Sequence, residues 1–194
     1  MSPSSRSAGD GQPFLSYPDP DPSDGVVMLR RWTMDDVGCI EKASSDTRIP
    51  QGTTVPAVYT AEAGRAFIER QWSRQAKGEG LSLAISVSGT AVGLICLMHR
   101  KTPGVAEIGY WIVPEERRRG WVTRAIGLFS RWAIAEAGLV RVEARVMPGN
   151  EPSLCALRRC GFVTEGILRR QYFSGGEYHD MVSLSLIAED LRGL

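Results

Sequence analysis

Between Gly109 and Thr123 the chain reads Gly-Tyr-Trp-Ile-Val-Pro-Glu-Glu-Arg-Arg-Arg-Gly-Trp-Val-Thr: an apolar stretch, a basic turn, then the start of an amphipathic run. These residue types in this order suit an anion. The first amides of a helix have no intrahelical acceptor and lie at the positive end of its dipole, so a phosphate placed there accepts several N–H bonds. Gly120 lets the backbone come close, Arg118 and Arg119 add charge, and Thr123 offers a hydroxyl, a set better matched to a pyrophosphate than to one carboxylate. From Arg117 to Arg131 there are five arginines and no acid, and the cluster falls between an apolar strand and an amphipathic helix, which argues against a merely solvated surface. It is neither a P-loop nor the Gly-x-Gly-x-x-Gly of a dinucleotide fold.

The molecule around this turn is nearly neutral, with Lys+Arg 23 against Asp+Glu 22, which excludes nucleic-acid coating through a bulk positive field and makes any polyanion site local. No apolar run reaches the roughly 20 residues of a membrane span, and the start lacks the pattern of a signal peptide, so the expected address is the cytoplasm, with no membrane partner. Cys39, Cys96, Cys155 and Cys160 form no CxxC pair, and His99 and His179 stand far from them in sequence. Neither a metal site nor a disulfide framework is expected.

The elements that must position the turn alternate between strand and helix. Residues 1–25, with five prolines and four aspartates, read as a flexible arm, and 26–194 as a single domain. A short strand from Val26 enters a helix over Met34 to Ser45, capped by Thr33. Arg48 to Gly52 interrupts it, and Thr60 caps a second helix; the connection between them is long enough to be a binding element or a plain linker. Leu81 to Val87 and Ala91 to Met98 form a hairpin. On the strand Val105 to Val113, Ala106, Ile108, Tyr110 and Ile112 share one face and Glu107, Gly109, Trp111 and Val113 the other. A helix over Thr123 to Ala137, a strand to Val146, a short helix capped by Asn150 and two final strands complete a β-α-α-β-β-β-α-β-α-β-β order. Such an α/β (α+β) chain builds a mixed sheet with helices on its faces.

At this point the chain resembles the GNAT superfamily of N-acetyltransferases, nearest its ribosomal-protein N-terminal acetyltransferases (RimJ/RimL-like). Three blocks carry the likeness: Glu107 to Trp111 with Pro114-Glu115; Arg117 to Ala125; and Asn150-Glu151-Pro152-Ser153 leading to Leu157, Gly161-Phe162 and Glu165-Gly166. The resemblance covers about Val26 to Leu186. It implies a mixed, mostly antiparallel, twisted sheet of about seven strands, splayed at a cleft for acetyl-CoA. In such a cleft Arg117, Arg118, Arg119, Gly120, Trp121, Val122 and Thr123 hold the pyrophosphate, Ile112 and Val113 lie along the pantetheine arm, and an amide near Ile112 polarises the thioester carbonyl. Asn150 caps its helix and, by resemblance, contacts the cofactor's amides. Trp111 and Trp121 flank the cleft, where either is a stacking surface.

Two positions depart from the family pattern: Val122 replaces a small residue, and Leu157 stands where many members carry a tyrosine acid. Ser153 is the substitute the resemblance offers for protonating the thiolate, against a local role in its helix's first turn. Glu107 is the candidate base for the attacking amine, against a surface glutamate paired to a nearby arginine. The expected reaction is direct acetyl transfer to a primary amine, either a protein N-terminal α-amine or a small molecule such as an aminoglycoside, polyamine or amino-acid derivative. A non-catalytic acyl-CoA-binding module and an RNA- or ribosome-associated one, using Arg117 to Arg131 with Arg158, Arg159, Arg169 and Arg170, are readings of other classes. The final hairpin is, by resemblance, a surface for a homodimer.

Overall fold

The computed structural model describes residues 7–8 and 11–193. The main sheet has seven strands: β1 (Val27–Arg30), β2 (Gly80–Val87), β3 (Thr90–His99), β4 (Val105–Ile112), β5 (Arg141–Val146), β6 (Val163–Ser174) and β7 (Glu177–Leu186). Their spatial order is β1-β2-β3-β4-β5-β7-β6, antiparallel throughout except for β4 against β5. The helices are α1 (Val37–Ser44), α2 (Ile49–Gly52), α3 (Ala61–Ala76), α4 (Trp121–Ala135) and α5 (Glu151–Arg159). This is the expected mixed, mostly antiparallel sheet with helices on both faces. No helix among the described residues is long and apolar enough to cross a membrane.

Each face of the sheet has its own core. On one side Leu29, Leu83, Ile95, Leu97 and Ile108 meet Phe129 and Trp132 of α4 and Leu154 and Leu157 of α5; the Phe129 and Trp132 rings stack at 5.5 Å. On the other, Trp32, Ile40 of α1, Phe67 and Ile68 of α3, and Trp111 pack together. Trp111 is 6% exposed and lies 6.3 Å from the Trp32 ring. It is a core residue and offers no stacking surface, because period 2 turns it toward the α1/α3 side.

Two local expectations are corrected. Pro50, read as part of an interruption, lies in the first turn of α2, where a missing N–H costs nothing; Asp46 Oδ1 accepts from the Arg48 and Ile49 amides and starts that helix. The arm is also shorter than its composition suggested. Leu15 is buried in the α4-side core, the Gln12 amide donates to the Arg100 and Thr102 carbonyls and accepts from the Gly104 N–H, and Asp24 pairs with Arg124 at 2.6 Å. Residues 11–25 are therefore strapped to the domain by the apolar contacts of Leu15 and Tyr17 and by several polar ones, even though proline and aspartate dominate them. The rest of that arm, residues 1–6 and 9–10, lies outside the described residues, as does Leu194.

Candidate active site

The parallel contact between β4 and β5 is brief. It pairs Val105, Ala106 and Glu107 with Arg141, Val142 and Glu143 and then ends. Beyond it β4 stays bonded to β3 as far as Ile112, while β5 stays bonded to β7 as far as Val146, so the sheet opens between them. Backbone groups alternate in direction along a strand. The Val113 N–H donates to Val92 on the β3 side at 3.0 Å, which turns the Ile112 N–H toward the gap. Its carbonyl faces the same way and accepts from Arg117 Nε at 3.1 Å. An unpaired strand edge of this kind offers amides to an extended, amide-containing ligand.

At the far end of β4 the chain turns through Pro114–Glu116 into α4. Arg118 and Gly120 both take positive φ, 61° and 81°, and successive αL and helical residues point their amides to one side, the geometry of an anion nest. A Cβ on Gly120 would meet nothing within 4 Å, so the space over the first amides of α4 is open. Arg124 N–H is the first to find a helical acceptor, Gly120 O at 3.2 Å; the amides of Trp121, Val122 and Thr123 precede it and have no intrahelical partner. These residues fit a pyrophosphate.

The arginines divide by role. Arg117, besides its bond to Ile112, pairs with Asp46 at 2.9 Å and so ties the α1–α2 connection to the turn. Burial works against the Asp46 carboxylate, yet hydrogen bonds from Arg117 and two amides prevail and hold it below the ordinary aspartate range. Arg119 reaches Glu116 at 3.5 Å, whose other contact is the Trp121 indole N–H at 3.2 Å. Arg118 is exposed and, among the described residues, makes no ion pair, so its charge faces the open space at the turn. Val122 packs on the α4-side core, and the Thr123 carbonyl accepts from Cys160 Sγ at 3.2 Å.

Across the gap, α5 begins at Asn150, whose side chain accepts from the Ser153 amide at 3.4 Å; capping is thus part of its role. Pro152 in the first turn fixes the entry. Ser153 is half-buried and its Oγ lies 2.7 Å from the phenol oxygen of Tyr110. Burial pushes the Tyr110 phenol up to about 12, offset in part by this hydrogen bond, so it keeps its proton near neutral pH. Alternation places Tyr110 on one face of β4 with Ala106, Ile108 and Ile112, and does not disclose the contact of its hydroxyl with Ser153. Leu157, at the family's tyrosine position, is fully buried.

Glu107 lies three residues before Tyr110, hence on the opposite face of β4. Its Oε2 is 3.1 Å from Arg100 Nη1 and 3.8 Å from Arg145 Nε. The structure thus brings the turn, Ile112 and Ser153 to one cleft and puts Glu107 on the face of β4 away from Ser153. On the last hairpin the Tyr178 and Phe173 rings pack tilted with centroids 4.9 Å apart and His179 Nε2 bonds the Ser174 carbonyl at 3.0 Å, structural roles in both cases. Among the described residues no three His, Cys, Asp or Glu side chains gather as a metal-ligand group.

Comparisons with known proteins agree with this geometry. The acetyltransferase (GNAT) domain family matches residues 27–163. A putative ribosomal N-acetyltransferase of Bacillus subtilis (strain 168), YdaF, is 34% identical over 140 residues, 69% of this chain and 74% of its own. An uncharacterized N-acetyltransferase of the same organism, YoaA, is 35% identical over 163 residues, covering 82% and 80%. Among solved structures, Mycobacterium smegmatis RimJ in complex with CoA-disulfide superposes with a TM-score of 0.76 at 25% identity, over 86% of this chain and 84% of that one. The open gap beside β4, the nest at its end and these matches together make the chain a member of the GNAT acetyltransferase family, an acyltransferase that takes its acetyl group from acetyl-CoA.

Proposed function

We propose that the chain transfers the acetyl group directly from acetyl-CoA to a primary amine, most simply the N-terminal α-amine of a protein. The observation that carries this reading is the opening of the sheet beside Ile112, with an anion nest at one end and the Tyr110–Ser153 hydroxyl pair across it. In this reading the amides of Gly120 to Thr123 and Arg118 hold the pyrophosphate, Arg117 and Arg119 brace the turn, and Trp121 and Val122 form its wall. Ile112 and Val113 line the pantetheine arm, and Asn150 adds a polar contact at the start of α5. The Ile112 N–H is placed to stabilise the oxyanion as the carbonyl is attacked.

The two faces of β4 divide the proton work. Glu107, on the α1/α3 side, takes a proton from the amine as it attacks. Ser153, on the α4/α5 side, donates to the sulfur as the C–S bond breaks. A phenol is a better hydrogen-bond donor and a poorer acceptor than an aliphatic alcohol, so Tyr110 donates to Ser153 Oγ and leaves the serine's own hydrogen free to point at the sulfur. Tyr110 is a positioning residue here. Much of the remaining acceleration comes from holding amine and thioester together.

The protein N-terminus as acceptor is supported by the ribosomal N-acetyltransferase named among the relatives and by the cationic lining beside Glu107, which disfavours polyamines and aminoglycosides. The test is thiol release from acetyl-CoA across a panel of N-terminal peptides and small amines. Turnover confined to small amines refutes the peptide reading. Thermal stabilisation by acetyl-CoA with no turnover of any amine refutes the enzyme reading and leaves a binding module.

A further inference from the structure

We infer that the acceptor carries a carboxylate close to its amine, and that Arg145 and Arg100 bind that carboxylate on the sheet face beside Glu107. This rests on the acetyl-transfer reading above and names its acceptor class. A groove of about 610 Å³ lies between the β3–β4 connection and β5, lined in part by Arg100, Lys101, Arg141, Glu143 and Arg145, and Glu107 adjoins it through its contacts to Arg100 and Arg145. Period 2 places Arg141, Glu143 and Arg145 on the side of β5 away from the α4 core, the same side as Glu107.

The charges in the groove are unevenly satisfied. Arg141 is fully engaged, with Nε on Glu143 at 3.0 Å and a two-pronged contact to Glu165. Among the described residues Arg145 has only long ion contacts, 3.8 Å to Glu107 and 3.7 Å to Glu143, and its Nε is buried without an acceptor. Glu107 Oε2 is buried too and lacks an aligned donor, although Arg100 lies 3.1 Å away. Buried polar groups left without partners are costly, and here a guanidinium fork and a carboxylate oxygen are both incomplete at one place. An incoming carboxylate completes the guanidinium, and the N–H of the amine beside it completes the Glu107 oxygen. The carboxylate fits the planar fork of Arg145 and the end of Arg100, as no ammonium does.

Such a ligand also frees the base. Once the incoming carboxylate takes Arg145 and Arg100, Glu107 is released from them to face the amine. The spacing suits an α-amine followed by an acidic side chain, because Glu107 and Arg145 are themselves neighbours. Two sources share this chemistry: a protein N-terminus with Asp or Glu in its first two positions, which we favour, and a free acidic amino acid.

The experiment compares thiol release from acetyl-CoA with peptides identical except for Glu, Gln or Lys at the second position, with free glutamate and a polyamine as further arms. The expected result is a kcat/KM for the Glu peptide about tenfold above the Gln peptide, with Lys lowest, and collapse of that ratio in Arg145→Gln. Turnover of free glutamate but of no peptide keeps the carboxylate subsite and moves its source to a small molecule. Equal use of the Glu and Gln peptides, or a ratio that survives Arg145→Gln, overturns the inference while leaving acetyl transfer intact. If no amine is turned over, acetyl transfer fails, and thermal stabilisation by the Glu peptide alone, lost in Arg145→Gln, still decides the subsite; stabilisation by neither peptide overturns it.

Discussion

Replacing Tyr110 by Phe removes one oxygen and keeps the ring, so its consequences can be worked from the Tyr110–Ser153 contact. Near neutral pH the variant loses a half-buried hydrogen bond, a cost of about 1 kcal/mol. Alkali reverses the sign. The phenol's pKa rises from 10.0 to about 12 in the fold through burial, so between those values the native state keeps a proton that the unfolded chain has released. The stabilisation is complete below pH 10 and is lost as pH rises through 12. A two-unit difference is worth about 2–3 kcal/mol. Phe cannot ionise, so the variant is less stable than the parent at pH 8 and more stable near pH 12, by about 1–2 kcal/mol. The buried cysteines also titrate in alkali, but they are common to both proteins and cancel. Denaturant unfolding followed by tryptophan fluorescence at a series of pH values gives the two curves; parallel curves would refute the placement of the phenol.

The same substitution tests the route to the sulfur. If Tyr110 acts through Ser153, Tyr110→Phe lowers kcat about tenfold and leaves the KM for acetyl-CoA unchanged, and adding it to Ser153→Ala costs nothing further. Additive losses in the double variant would mean that the two hydroxyls act separately and that the 2.7 Å contact is only structural.

Three further outcomes follow from the turn and the core. Gly120→Ala puts a side chain at φ 81° for about 1 kcal/mol of stability, and its Cβ enters the open space over the α4 amides, so calorimetry will show acetyl-CoA binding weakened by more than the fall in thermal stability implies. Arg117→Ala releases both Asp46 and the Ile112 carbonyl; we expect weaker acetyl-CoA binding together with a smaller loss of stability on acidification, because the Asp46 pKa that Arg117 helps depress contributes stability above about pH 4 that disappears as pH falls, and acid titrations of both proteins measure the difference. Leu157→Tyr, which restores the family's usual residue, overfills a fully buried position and costs about 1–3 kcal/mol without raising kcat, as unfolding and turnover assays together will show.

What the chain discloses before folding, and what it withholds, separates along the range of the interactions involved. Glu107 and Tyr110 could be assigned to opposite faces of β4 from alternation alone, and Asn150 to a cap from its place before Pro152, because strand pleat and helix ends are properties of a few consecutive residues. The order of strand, basic turn and helix start through Arg117 to Thr123 was readable for the same reason. Leu15 defeated that logic: a lone leucine among prolines has no period, and only the α4-side core shows what buries it. Ser153 and Tyr110 are 43 residues apart, joined by a sheet opening that exists because β5 leaves β4 to follow β7, a choice of partners no local pattern encodes. Glu107 shows the deepest gap. Its residue type and strand place it as a base, yet its ion contacts come from Arg100 at the end of β3 and Arg145 on β5, brought together by the one parallel pairing in the sheet. Those arginines occupy the glutamate's carboxylate until something else engages them. In the proposed reaction the base and the acceptor's charge are therefore coupled by topology, and an acidic acceptor is the partner that resolves the coupling in favour of catalysis.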